Sequence, residues 1–83
     1  MKESKLYLEI VTPEKKLFTG DVISVDVPGV VGRFTILQDH APIVAALKEG
    51  PIRIEGNFSE DVVFECTSGV IECADNKVSI LLE

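Results

Sequence analysis

Ile23-Ser24-Val25-Asp26-Val27-Pro28-Gly29-Val30-Val31-Gly32 reads as a strand followed by its own stop signal. Ile23, Val25 and Val27 are β-branched and alternate with Ser24 and Asp26, so a pleated strand puts the three on one face. Pro28 cannot donate a ladder hydrogen bond and Gly29 tolerates φ values that other residues avoid, so the pair opens a loop. The same period of two extends in both directions. Leu6, Leu8 and Ile10 alternate with Tyr7, Glu9 and Val11; Ile52 and Ile54 flank Arg53. Val62, Phe64 and Cys66 alternate with Val63, Glu65 and Thr67, and Val78, Ile80 and Leu82 with Ser79 and Leu81. Turn residues separate the runs at Thr12-Pro13-Glu14, Thr19-Gly20-Asp21, Gly50-Pro51, Glu55-Gly56-Asn57, Ser68-Gly69 and Asp75-Asn76. Roughly eight to ten short strands at this spacing predict an all-β sandwich or barrel.

One segment breaks the rhythm. Residues 41–47, Ala-Pro-Ile-Val-Ala-Ala-Leu, hold three alanines, and Pro42 suits a first helical position. Against a helix stand the β-branched pair Ile43 and Val44 and the Gly50-Pro51 break that follows. The balance favours a short strand or an irregular extended segment.

The 83 residues, 1–83, make one domain, and 46% of them are apolar, enough for a packed core. Aromatics are 6% with no Trp, so Val, Ile and Leu must build that core. The net charge of −6 argues against nucleic acid, whose phosphates need Lys and Arg. It argues equally against anionic lipid, and no apolar run is long enough for direct insertion into a bilayer. Residues 1–5, Met-Lys-Glu-Ser-Lys, lead into no apolar core or small-residue cleavage site, so no secretion signal is expected. The expected place is the cytoplasm, or wherever a partner carries the chain.

Candidate chemistry is sparse. His40, beside Asp39, is the one histidine, and an enzyme would need it as a base with Cys66 as nucleophile. Neighbours on an extended chain point to opposite faces, so the better expectation is a loop histidine bonded to backbone or an interface residue. Cys66 and Cys73 are seven apart, which fits neither a zinc knuckle nor a CxxC pair. Reduced, buried thiols on strands are expected, with no metal and no cofactor. The 28–32 segment lacks the GK[ST] ending of a phosphate loop, and its glycines fit a hairpin. Val30 and Val31 at a loop tip instead point to contact with a partner. Leu17, Phe18, Ile43 and Val44 either all enter the core or form an apolar surface patch; sequence leaves both open.

An ordered set of motifs narrows this. Phe18-x-Gly20-x-Val22, Pro28-Gly29-x-x-Gly32, Ile36-Leu37-x-x-His40-Ala41-Pro42-Ile43 and Leu47-x-x-Gly50-x-Ile52-Arg53-Ile54 follow one another. Ser68-Gly69-Val70 and Asn76-Lys77-Val78-Ser79-Ile80-Leu81 complete the set. Together they resemble the amino-terminal β domain of the epsilon subunit of rotary proton-translocating ATP synthases. The resemblance implies a β-sandwich of two roughly five-stranded sheets at the foot of the central stalk. It implies a non-catalytic subunit that couples rotation of the c-ring to the gamma subunit, at the cytoplasmic face of the bacterial plasma membrane. By position, Leu17, Phe18, Ile43 and Val44 would face gamma. Pro28, Gly29, Val30, Val31, Gly32 and Arg33, with His40 nearby, would face the c-ring. Two departures are visible. Arg33 stands where the family often has an acidic residue, which implies a less basic or an apolar ring contact. No segment resembling the family's carboxyl-terminal helical hairpin follows Leu82, so neither inhibition by helix insertion nor ATP binding is expected. Exposed patches would allow weak self-association of the isolated chain. The alternative is a generic acidic β-sandwich interaction module with another partner.

Overall fold

A computed structural model describes residues 6–60 and 62–83; the amino-terminal stretch read above as no secretion signal lies outside them. Among the described residues nine strands account for the regular structure. They are β1 (Leu6–Val11), β2 (Lys16–Val22), β3 (Ser24–Pro28), β4 (Arg33–Ile36), β5 (Ile43–Leu47), β6 (Gly50–Glu55), β7 (Val62–Cys66), β8 (Gly69–Ala74) and β9 (Lys77–Leu82). One sheet holds five strands in the order β2-β1-β9-β8-β5, and the other holds four in the order β4-β3-β6-β7. The sandwich expected from the resemblance is present, with one strand fewer in the second sheet.

The two inner faces carry the predicted apolar sets. Leu6, Leu8 and Ile10 of β1 are fully buried, as are Val25 and Val27 of β3, Ile52 of β6 and Val78 of β9. Each lies two residues from the next on its strand, so the pleat turns them all to one side. Removing one, as in Leu8→Ala, deletes buried methyls and leaves a void, at a cost of about 2–5 kcal/mol. The segment 41–47 is a strand: β5 pairs antiparallel with β8 from Ile43↔Cys73 to Leu47↔Gly69. Its β-branched start outweighs its alanines because β8 offers a partner ladder.

Three details depart from the sequence expectation. Thr19, Gly20 and Asp21 do not break the chain; they continue β2, with Gly20 opposite Leu8. The break falls at Ile23, where the chain passes from the five-stranded to the four-stranded sheet. Ile23 is therefore exposed while Ser24 is buried, its hydroxyl donating to Glu55 Oε1 at 3.2 Å. Gly50 and Pro51 likewise open β6 and do not form a turn. Pro51 is tolerated there because the β3–β6 pairing reaches only as far as Asp26↔Arg53, so no ladder partner waits for its missing N–H.

Loops are fixed by local chemistry. Asp75 (φ 53°) and Asn76 (φ 62°) form the two-residue turn between Ala74 and Lys77, both in the left-handed conformation such hairpins need. Asn76 also accepts from the Asp39 amide at 2.6 Å and donates to Asp39 Oδ1 at 3.1 Å, tying the 37–42 connection to the β8–β9 turn.

Candidate interaction surface

The supposed catalytic set does not assemble. Asp39 spends its carboxylate on Asn76, while His40 Nδ1 lies 2.7 Å from the Ala41 carbonyl oxygen. His40 is thus a loop histidine bonded to backbone. Cys66 is buried on β7 and unbridged, as is Cys73 on β8. Burial pushes both thiols above their ordinary range, and the carboxylate of Glu65 adds to the effect at Cys66. A nucleophilic cysteine needs the opposite shift. Among the described residues no group of His, Cys, Asp and Glu could hold a metal ion. No described helix is long and apolar enough to cross a membrane.

The loop between β3 and β4 is a built structure. Pro28 pairs with Arg33 at its base, and the Gly32 amide donates to the Gly29 carbonyl at 3.0 Å. A side chain at Gly29 would sit 2.6 Å from the Gly32 carbonyl and 2.8 Å from the Phe34 ring, so the position requires glycine. The loop also crosses to the other sheet. The Val30 amide donates to the Ala46 carbonyl at 3.0 Å, and the Lys48 amide donates to the Pro28 carbonyl at 2.9 Å. These bonds cover the Ala46–Lys48 end of the outer edge of β5 and leave Val30 half-exposed and Val31 103% exposed at the tip. Arg33 turns away from the tip. Its Nη2 donates to Asp26 Oδ2 at 2.9 Å and to the Pro51 carbonyl at 2.7 Å.

The four residues assigned to gamma fall into two groups. Leu17 and Phe18 lie on β2 and Ile43 and Val44 on β5, the opposite edges of the five-stranded sheet. Four strand spacings separate them, about 19 Å. Phe18 points into the sandwich, meeting the rings of Phe58 and Phe64 edge-on at centroid distances of 5.9 and 6.2 Å. Leu17 follows it inward because the β1–β2 register slips there: Ile10 pairs with Phe18 but Val11 pairs with Lys16. A bulged residue escapes strict alternation, so both side chains pack against the core. Val44, by contrast, is 70% exposed. Together with Ile43 it borders an apolar groove of about 460 Å³ whose other wall is Val30, Val31 and Phe34. The structure therefore brings Ile43 and Val44 to the loop expected to face the c-ring, with Ile43 also packed against the core. His40 lies at the far end of β5 and does not line this groove.

Sequence reading missed a further surface. On the outer face of the five-stranded sheet, Ala46 pairs with Val70, Val70 with Leu81 and Leu81 with Val11. The four make an apolar row across four strands, with Val70 and Leu81 more than two-fifths exposed. Glu9 and Glu72 flank it along a shallow recess of about 340 Å³. The signal was present in the apolar residues at outward positions of β8 and β9, but only the register shows that they align.

Comparison with known proteins agrees with this geometry. The profile of the family described as ATP synthase, delta/epsilon chain, beta-sandwich domain matches residues 5–83. The ATP synthase epsilon chain of Chlorobium limicola is 42% identical over 76 residues, spanning 92% of this chain and 86% of that one. That of Campylobacter hominis is 44% identical over 78 residues, spanning 93% of this chain but 60% of the relative. The relatives thus fall into a short class close to this chain in length and a longer class. In the cryo-EM structure of the Tetrahymena thermophila mitochondrial ATP synthase central stalk and c-ring, one chain superposes with a TM-score of 0.77 over 99% of this chain and 66% of its own length, at 23% identity. A chain of the Euglena gracilis mitochondrial ATP synthase structure gives 0.87 over 96% of this chain and 51% of its own, at 17% identity, so both likenesses concern the fold. With the profile spanning both sheets and relatives above 40% identity over nearly the whole chain, this protein belongs to the ATP synthase delta/epsilon family, as its β-sandwich domain.

Proposed function

We propose that this chain is a non-catalytic element of the central stalk of a rotary proton-translocating ATP synthase, passing rotation of the c-ring to the gamma subunit. The observation that carries it is the continuous apolar surface from the loop tip, Val30 and Val31, through Val44 to the row Ala46, Val70, Leu81 and Val11. Single exposed apolar residues are ordinary on a monomer; a connected surface of this kind marks a partner. In this reading the tip, built by Pro28, Gly29, Val30, Val31 and Gly32, meets the ring. Val44, Ile43 and the outer face of the five-stranded sheet meet gamma. Leu17 and Phe18 support that face from inside. Full burial of Val30, Val31 and Val44 alone would contribute roughly 4–6 kcal/mol before the entropic cost of association. Placement at the cytoplasmic face of the membrane follows from riding on the complex, without insertion of this chain into lipid.

The test is co-purification with the gamma subunit of the same organism, read by native mass spectrometry. A one-to-one complex is expected, lost on Val44→Lys and kept on Val63→Lys, at an exposed valine of β7 on the opposite sheet. Absence of a complex with folded gamma would reduce the assignment to a shared fold and favour a different protein partner.

A further inference from the structure

We infer that Arg33 is a positioning residue, an internal strut that holds the β3–β4 loop in its docking conformation, and is not itself a contact for the partner. The inference rests on the proposal that this loop docks. The guanidinium belongs to β4 but reaches across β3 to β6. Nη2 and Nε donate to Asp26 Oδ2 at 2.9 and 3.3 Å, and Nη2 also donates to the Pro51 carbonyl at 2.7 Å. Asp26 is held in turn, since the Thr35 hydroxyl donates to its Oδ1 at 3.1 Å. A Cβ built at Gly50 would lie 3.6 Å from Arg33 Nη1, so the head group rests on the opening of β6. One side chain thereby links three of the four strands of its sheet at the loop's base.

The placement explains features that a ring-contacting arginine would not. A contact residue presents its donors outward, whereas here Nε and Nη2 both have intramolecular acceptors. An exposed ion pair contributes little to global stability, and the side chains of Arg33 and Asp26 are 38% and 31% exposed. Its effect is instead local. The loop is fastened to β5 by the Val30 and Lys48 amides and to its own sheet by the Pro28–Arg33 pair. The Arg33–Asp26–Pro51 bridge fixes the second of these two anchors relative to β6. A tip fixed at both anchors loses less conformational freedom on docking, which raises affinity without adding a contact. Because the charge is engaged inside the domain, the tip offers its partner only apolar side chains and backbone.

Arg33→Met, Asp26→Asn and the pair of changes together test this in the whole chain, with Val31→Asp as a control on docking. Hydrogen exchange at the Val30 and Gly32 amides is measured on the free chain. Association is measured against the solubilised c-ring of the same organism. Both single changes are expected to speed exchange at the two amides while β1 and β9 stay protected. Both should weaken ring association about tenfold, and the double change no further, since the two residues act through one lock. Additive losses, or a loss for Arg33→Met with Asp26→Asn neutral, would overturn the inference, because the guanidinium would then touch the ring directly. Unchanged exchange and association in Arg33→Met would overturn it as well. Unimpaired association of Val31→Asp would show that the docking proposal has failed; unchanged exchange in Arg33→Met would then still refute the strut, and faster exchange would sustain it.

Discussion

Phe18→Ala separates the two halves of what sequence treats as one patch. The ring lies between the sheets, edge-on to Phe58 at 5.9 Å and 83° and to Phe64 at 6.2 Å and 72°. Phe58 comes from the β6–β7 connection and Phe64 from β7, so Phe18 joins the β2 edge of one sheet to the β7 edge of the other. Truncating a fully buried Phe costs about 3–5 kcal/mol. Phe18 is half-buried, so the transfer part falls by about half, while two edge-on aromatic contacts of about 0.5–1.5 kcal/mol each are lost. The expected destabilisation is about 2.5–5 kcal/mol, a large share of the ~5–8 kcal/mol a domain of this size holds. It should lower Tm by at least about 10 °C. Val44→Lys should stay within about 0.5 kcal/mol of the parent, since Val44 is 70% exposed and lies opposite Glu72, where a lysine meets an opposite charge. With no Trp in the chain, urea unfolding followed by far-ultraviolet circular dichroism is the assay. A loss below 0.5 kcal/mol for Phe18→Ala, or equal losses for both variants, would refute the inward placement of the ring.

Gly29→Ala should remodel the β3–β4 loop at a cost of about 1–3 kcal/mol, because its Cβ meets backbone at 2.6 Å; denaturation midpoints and the Val30 amide exchange rate check it. At the β8–β9 turn, Asp75→Gly should be neutral or slightly stabilising, since it only relieves a positive φ. Asn76→Gly should lose about 1 kcal/mol, because it also releases Asp39; the two midpoints compared on one protein background decide. Cys66 and Cys73 should react slowly with iodoacetamide at neutral pH and fast after unfolding, as thiol counting over time will show. Their linkage to stability has a definite sign. Both thiols are raised in the folded chain, so their neutral form is favoured there. Stability is full below the unfolded thiol pKa of about 8.5 and falls as pH rises above it. Cys66→Ser with Cys73→Ser should remove that alkaline loss, and an unchanged slope in the double variant would contradict it.

Much of the fold was legible because a two-residue period survives wherever one face is buried. It failed where the backbone departs from that period. Leu17 sits at a bulge, and nothing in Lys16-Leu17-Phe18 announces the slipped register that turns both Leu17 and Phe18 inward. Ile23 continues a perfect alternation, yet it stands where the chain changes sheets, so the alternation restarts at Ser24. Gly20 and Gly50 look like turn glycines, but tertiary pairing overrides local preference at both. The interaction surface was half-legible for a different reason. Val30 and Val31 betray themselves as apolar residues in a loop, while Val11, Val70 and Leu81 become a row only through pairings between strands distant in sequence.

In the proposed role the sandwich carries load between two partners, and the strand pairings supply a path for it. β5 is the strand both surfaces share. One end of its outer edge is capped by the loop, through Gly29 against Leu47 and the Val30 amide on the Ala46 carbonyl. Its other edge is paired with β8 along all five residues. An edge strand with free N–H and C=O groups would invite pairing with a second chain; the loop closes the Ala46–Lys48 end of this one. Force applied at Val31 then passes through backbone hydrogen bonds into β5 and on through β8, β9 and β1, each paired along nearly its whole length. Backbone ladders resist shear better than isolated side-chain contacts, because several bonds must open together. The row Ala46, Val70, Leu81 and Val11 runs along that same path, so a partner seated on it is coupled to the tip through one continuous backbone ladder.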